Sequence, residues 1–178
     1  AADIKDEADF RKAIAEGLAE QLKGDSDYKF IQDLRAYCEK KVGKLTFPDA
    51  ILKRIMLANN QDKGEEFVDK NYEQSIKELT WHLIKEQLAQ AHGIKVDDND
   101  VRESARQMAR AQFAQYGMNN VPDDYLNGYV DEMLKKRENI DSFVEAALDR
   151  KLAATLKDVV KLNKKSVSLE EFNKLVNE

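Results

Sequence analysis

The chain reads as an all-α protein on three observations. Apolar residues recur at intervals of three and four along almost its whole length, the period of one helix face. The 178 residues include only 7 Gly and 2 Pro, too few punctuators for a turn-rich β fold. No convincing polar–apolar alternation marks a strand; Ser166-Val167-Ser168 is too brief.

A first helix starts near Asp6 with Phe10, Ile14, Leu18 and Leu22 inward, and a second helical phase carries Ile31, Leu34, Cys38, Val42 and Leu45. Between them stand Gly24-Asp25-Ser26-Asp27, which on local rules break a helix. Thr46-Phe47-Pro48-Asp49 closes this element, with Pro48 at the first position of the next helix, where Ile51, Leu52, Ile55 and Met56 form the apolar side. Asn59 to Gly64 is a polar turn.

The richest stretch runs from Glu65 to Met118. In its long helix Leu79, Leu83, Ile84, Leu88 and Ala91 form the apolar face, and His82, Glu78, Lys85 and Glu86 fall on the other side. The stripe narrows upstream to Val68, Tyr72 and Ile76 and widens downstream to include Trp81, Ile84 and Leu88, as expected of a helix rooted in a core at one end, so Leu83 and Leu88 are predicted to be buried. Gly93 ends the helix and Asp97 or Asp98 caps the next, which lines up Val101, Ala105, Met108, Ala109, Phe113 and Tyr116. Two helices joined so tightly form a hairpin. Gly117 to Asn120 break the chain, and Val121-Pro122-Asp123-Asp124 starts a helix lined by Tyr125, Leu126, Tyr129, Met133 and Leu134. After the charged hinge Lys135–Asn139, a helix to about Leu162 buries Ile140, Phe143, Val144, Ala147, Leu148 and Val159. Ser168-Leu169-Glu170-Glu171 is a capping box for a short last helix, with Phe172 and Leu175 inward.

Enzyme chemistry finds no constellation here, so no catalytic residue is assigned. His82 and His92 lie on different faces of one helix, and a single Cys38 rules out the usual zinc spacings and an internal disulfide. Asp97-Asp98-Asn99-Asp100 lacks the ligand and glycine positions of a calcium loop. No metal and no cofactor is expected. A net charge of -5 argues against direct nucleic-acid binding, and no apolar run is long enough for a membrane span. The lone cysteine suits a reducing compartment, and no signal peptide is expected.

What stands out is apolar and aromatic material on projecting hairpins: Phe67, Val68 and Tyr72 on one, and Phe113, Tyr116, Met118, Tyr125, Tyr129 and Met133 on the other. Core packing is the default for such a stripe. The alternative is a soft surface for varied apolar segments, to which flexible Met is suited.

Several motifs, in order, resemble one family. They are Phe47-Pro48-Asp49-Ala50-Ile51-Leu52, Lys95 to Val101, Gln107-Met108-Ala109 through Phe113-Ala114-Gln115-Tyr116, Val121-Pro122, and Ser168 to Leu175. Together they resemble the C-terminal domain of trigger factor, the bacterial ribosome-associated chaperone, over nearly the whole chain. The resemblance implies a single helical domain over 1–178, a body with two arms around a cradle that binds nascent or unfolded polypeptides without ATP. It implies a cytoplasmic setting and one long first helix, bent at Gly24. The family's ribosome-binding loop and its FKBP-type isomerase domain are not in this sequence, so ribosome contact and isomerase activity are not carried over. Two alternatives stay open: a periplasmic chaperone of the SurA type, and a non-enzymatic helical module that self-associates through its hairpins.

Overall fold

The computed structural model describes residues 6–118 and 120–177. Among these residues the chain forms seven helices and no strand: α1 (Glu7–Val42), α2 (Asp49–Asn59), α3 (Gly64–Ala91), α4 (Asp98–Gln115), α5 (Asp123–Lys135), α6 (Arg137–Val159) and α7 (Leu169–Asn177). No helix among them is long and apolar enough to cross a membrane.

The first helix runs unbroken through Gly24-Asp25-Ser26-Asp27, against the local break signal. Its start is capped by Asp6, whose carboxylate accepts from the Asp9 N–H at 2.8 Å. Its end is set by Gly43, which takes φ 70, while Lys40 and Lys41 face the negative end of the helix dipole. A Cβ built at Gly24 meets nothing within 4 Å. Gly24→Ala is therefore expected to stabilise α1 by about 0.5–1 kcal/mol, read as a rise in helical signal and melting temperature. One expectation for this helix is corrected. Phe10, Ile14 and Leu18 do not point into a core but stand 51%, 54% and 44% exposed. A stripe at helical period reports a one-sided helix; it does not supply a neighbour to cover that side.

By internal contacts the chain divides into two compact units, one made of residues 1–31 and 92–178 and the other of 32–91. In the first unit α4 packs against α5 and α6, and α5 against α6. The core is Ala105, Ala109, Leu126, Val130, Met133 and Phe143, with Val101, Phe113, Val121 and Leu134 packed onto it. Ala105 and Ala109 are fully buried one turn apart, and such small side chains let α4 approach its neighbours closely. Farther along α6, Ala147, Leu152, Ala153 and Leu156 are also buried. Met108 and Val159, expected inward, are exposed, because the contact faces of α4 and α6 are narrower than their apolar stripes.

The ends of these helices follow the sequence closely. Asp97 accepts from the N–H groups of Asn99 and Asp100, and the Asp100 carboxylate accepts from the Asp97 N–H, a complete capping box. Lys151 of α6 pairs with Asp100 and donates to the Lys95 carbonyl at 2.7 Å, tying the start of α4 to α6. Ser168 and Glu171 form the expected box ahead of α7. Pro48 and Pro122 each sit one position earlier than expected, at the cap, with α2 and α5 starting at the following Asp. Phe172 is half-buried and Leu175 exposed.

In the second unit α2 packs on α3. No residue of α2 is fully buried, and Ile51 and Ile55 are exposed, while Leu52 and Met56 are half-buried. The buried residues of α3 are Val68, Trp81, Ile84, Lys85 and Ala89. This corrects the expected face: Leu83 is 36% exposed and Leu88 only half-buried. The buried face keeps the expected Trp81 and Ile84 but turns toward Lys85 and Ala89 rather than Leu83 and Leu88, and so includes a lysine. Lys85 lays its aliphatic stem inward and sets its ammonium 5.8 Å from the centroid of the Trp81 ring. The Arg35 guanidinium approaches the same ring at 6.0 Å and forks onto Glu78 with bonds of 3.0 and 2.9 Å.

Hydrogen bonding from Arg35 holds the Glu78 carboxyl below its ordinary range. A lowered carboxyl stabilises the fold above the ordinary carboxylate range, and that contribution is lost as pH falls through the lowered value. Glu78→Gln should therefore weaken stability near neutrality by less than about 1 kcal/mol, since the pair is half-exposed, and flatten the acid limb of a urea-midpoint-versus-pH curve.

Candidate functional site

The turn between α4 and α5 brings an aromatic group together. The α4 helix ends as the Tyr116 N–H reaches the Phe113 carbonyl at 3.1 Å, and Met118 donates to the same carbonyl at 2.9 Å. Gly117 takes φ 77, a conformation in which a side chain would be strained, and so reverses the chain within a few residues. Val121 anchors the return on the core, and Pro122 occupies the cap position ahead of α5.

This geometry stacks Phe113 against Tyr129, ring centroids 5.2 Å apart and tilted by 60°. The Tyr129 hydroxyl donates to Gln112 Oε1 at 3.0 Å, which ties the ring to α4. A recess of about 360 Å³ opens here, lined by Gln112, Phe113, Gln115, Tyr116, Met118 and Tyr129. Tyr116 is 80% exposed and Tyr125 77%, and Met118 and Tyr129 are also exposed. Of the six residues expected on this hairpin, Phe113, Tyr116, Met118 and Tyr129 meet in the recess, and Tyr125 stands outside its lining. Met133 is 9% exposed and belongs to the core, so it offers no surface. The two glutamines were not foreseen: amide side chains inside an apolar stripe carry no distinctive sequence signal.

The second group lies in the unit of residues 32–91. Val68 is 4% exposed, and its burial removes it from the candidate surface. Phe67 and Tyr72 are half-buried, each with a lysine ammonium over the ring, Lys63 at 4.5 Å and Lys53 at 5.2 Å. The Tyr72 hydroxyl donates to Asp49 at 2.7 Å. Its pKa is pushed up to about 12, first by desolvation and then by that bond, so it remains a donor at neutral pH. Tyr72 also lines a groove of about 640 Å³ with Leu45, Phe47, Ile76 and the charged Glu39, Glu73 and Lys77. The linker residues Leu45 and Phe47 were not expected to share a surface with α3.

Among the described residues no group of three or more His, Cys, Asp and Glu is gathered as a metal site. Cys38 is half-buried and burial pushes its thiol up, away from the reactive thiolate. The tip of the α4–α5 hairpin offers ring edges, a thioether and amides on a shallow open surface. Such a surface can make reversible apolar contacts with occasional hydrogen bonds to a peptide backbone.

A family model described as "Probable trigger factor, C-terminal domain" matches residues 26–176, most of the chain. No curated protein and no solved structure matches.

Proposed function

The chain belongs to the trigger factor C-terminal domain family, and from that membership we infer that it is an ATP-independent chaperone domain that holds nascent or unfolded polypeptides by reversible apolar contact. The observation that supports this reading best is the exposed aromatic group at the α4–α5 turn. Tyr116, Met118, Tyr125 and Tyr129 stand in solvent at or beside an open recess, and clustered exposed apolar side chains of this kind mark interaction sites. Rings and a thioether adapt to many partners, which suits clients that share no sequence. Each contact is weak, since the roughly 1.5–3 kcal/mol for burying a large side chain is offset by ordering and association costs, so the client can leave. The excess of acidic residues keeps such a complex soluble. The reading carries no catalysis, and places the domain in the cytoplasm with unfolded chains as its partners; ribosome contact belongs to another domain of the family.

Titrating the chain into a fluorescently labelled, permanently unfolded polypeptide, with no nucleotide present, tests this directly. Saturable binding that a natively folded protein does not compete away is the expected result. An anisotropy that stays flat at high chain concentration overturns it.

A second reading rests on a different observation. The exposed Phe10, Ile14 and Leu18 of α1 fit a module that pairs with a second copy of itself. Sedimentation over a concentration series separates the two, since the chaperone reading does not require mass to rise with concentration.

A further inference from the structure

The Gly24-Asp25-Ser26-Asp27 stretch is the weakest helix-forming part of α1, yet the helix passes through it. At its end, within the unit of residues 1–31 and 92–178, the Lys157 ammonium of α6 pairs with Asp27 Oδ1. The same ammonium lies 5.4 Å from the centroid of the Phe30 ring. Both partners of the ion pair are partly shielded, with side chains 26% and 34% exposed. The pair sits where α1 changes character. Leu22, Asp25, Asp27 and Lys29 to Gln32 are half-buried, whereas Phe10, Ile14 and Leu18 stand in solvent. A helical length without packing is only marginally stable, so the part carrying the exposed Phe10, Ile14 and Leu18 depends on being continuous with the anchored part.

We propose that Lys157, Asp27 and Phe30 form a conformational latch. Closed, it keeps Gly24–Asp27 helical and α1 a single rod. Open, those residues become a hinge, and the segment 7–23 with its apolar stripe moves separately. The mechanism needs only charge and packing: the ammonium is held by the carboxylate on one side and the ring face on the other, and releasing it removes a contact that offsets poor helix propensity there. This inference is independent of the polypeptide-binding reading.

Amide hydrogen exchange on peptides spanning residues 24–30 tests it. Lys157→Gln should speed exchange there by about tenfold, while the amides of α4 and α5 keep their rates. Reversing the pair, with Asp27→Lys and Lys157→Asp together, should restore protection, and Gly24→Ala added to Lys157→Gln should also slow exchange. Unchanged exchange in Lys157→Gln overturns the latch. So does a folded reversed pair that fails to restore protection, since the charge would then not be what holds the helix. If Lys157→Gln loosens all of α6, Asp27→Asn decides the matter, since it leaves α6 unaltered: it should speed exchange at 24–30 and not in α4 or α5, and unchanged exchange there refutes the proposal.

Discussion

Phe143→Ala is expected to destabilise the unit built on α4, α5 and α6 by about 3–5 kcal/mol. Phe143 is 1% exposed and is the largest side chain in the cluster with Ala105, Ala109, Leu126, Val130 and Met133. Its neighbours sit on two other helices, α4 and α5, and include two alanines, which cannot reach into the space left by a lost ring. The cost is therefore the lost transfer energy plus an unfilled cavity. Urea unfolding followed by far-UV circular dichroism measures it. The single tryptophan, Trp81, lies in the unit of residues 32–91, so its fluorescence reads that unit separately. A shift worth less than about 1 kcal/mol, the level of a surface substitution, would show that Phe143 does not hold these helices together.

The second large effect concerns the exposed tip. Replacing Tyr116, Met118 and Tyr125 together by Ser should weaken binding of an unfolded polypeptide by at least about tenfold, since even partial burial of three such side chains is worth more than 1.4 kcal/mol in total. The melting temperature should stay close to that of the unmodified chain, because all three stand in solvent. Phe113 and Tyr129 are left intact on purpose: Phe113 packs on the core, and replacing it would confuse a lost surface with a lost fold. Unchanged affinity in a folded triple variant would place client contact elsewhere, with the groove beside Tyr72 the next candidate.

The sequence made the helices legible because their punctuation is local. Asp97, Ser168, Gly93 and Gly117 act on their own backbone or within a few residues of it, so cap chemistry located the ends of α3, α4 and α7. What covers a helix is not local. Phe10, Ile14 and Leu18 have the spacing of a core face but no neighbour, and nothing in their own stretch records that. Lys85 shows the opposite failure: a charge is read as solvent-facing, yet its stem packs inward when an indole ring is placed to receive the ammonium. Continuity through Gly24 is implied by the family resemblance and is found, although the local residues signal a break; within the structure Lys157 meets Asp27 there from far along the chain. In the candidate surface, apolar period alone could not separate Tyr116 and Tyr125, which face water, from Val68 and Met133, which are buried. That division follows from which side of each helix meets a neighbour.

The most direct test of the central claim is light scattering from an aggregating, chemically denatured protein diluted into the unmodified chain at several-fold molar excess, with no nucleotide. Suppressed scattering, lost in the folded Tyr116, Met118 and Tyr125 triple variant, is the predicted result. Scattering that rises as fast with the chain as without it would contradict the chaperone reading and leave the self-associating module in its place.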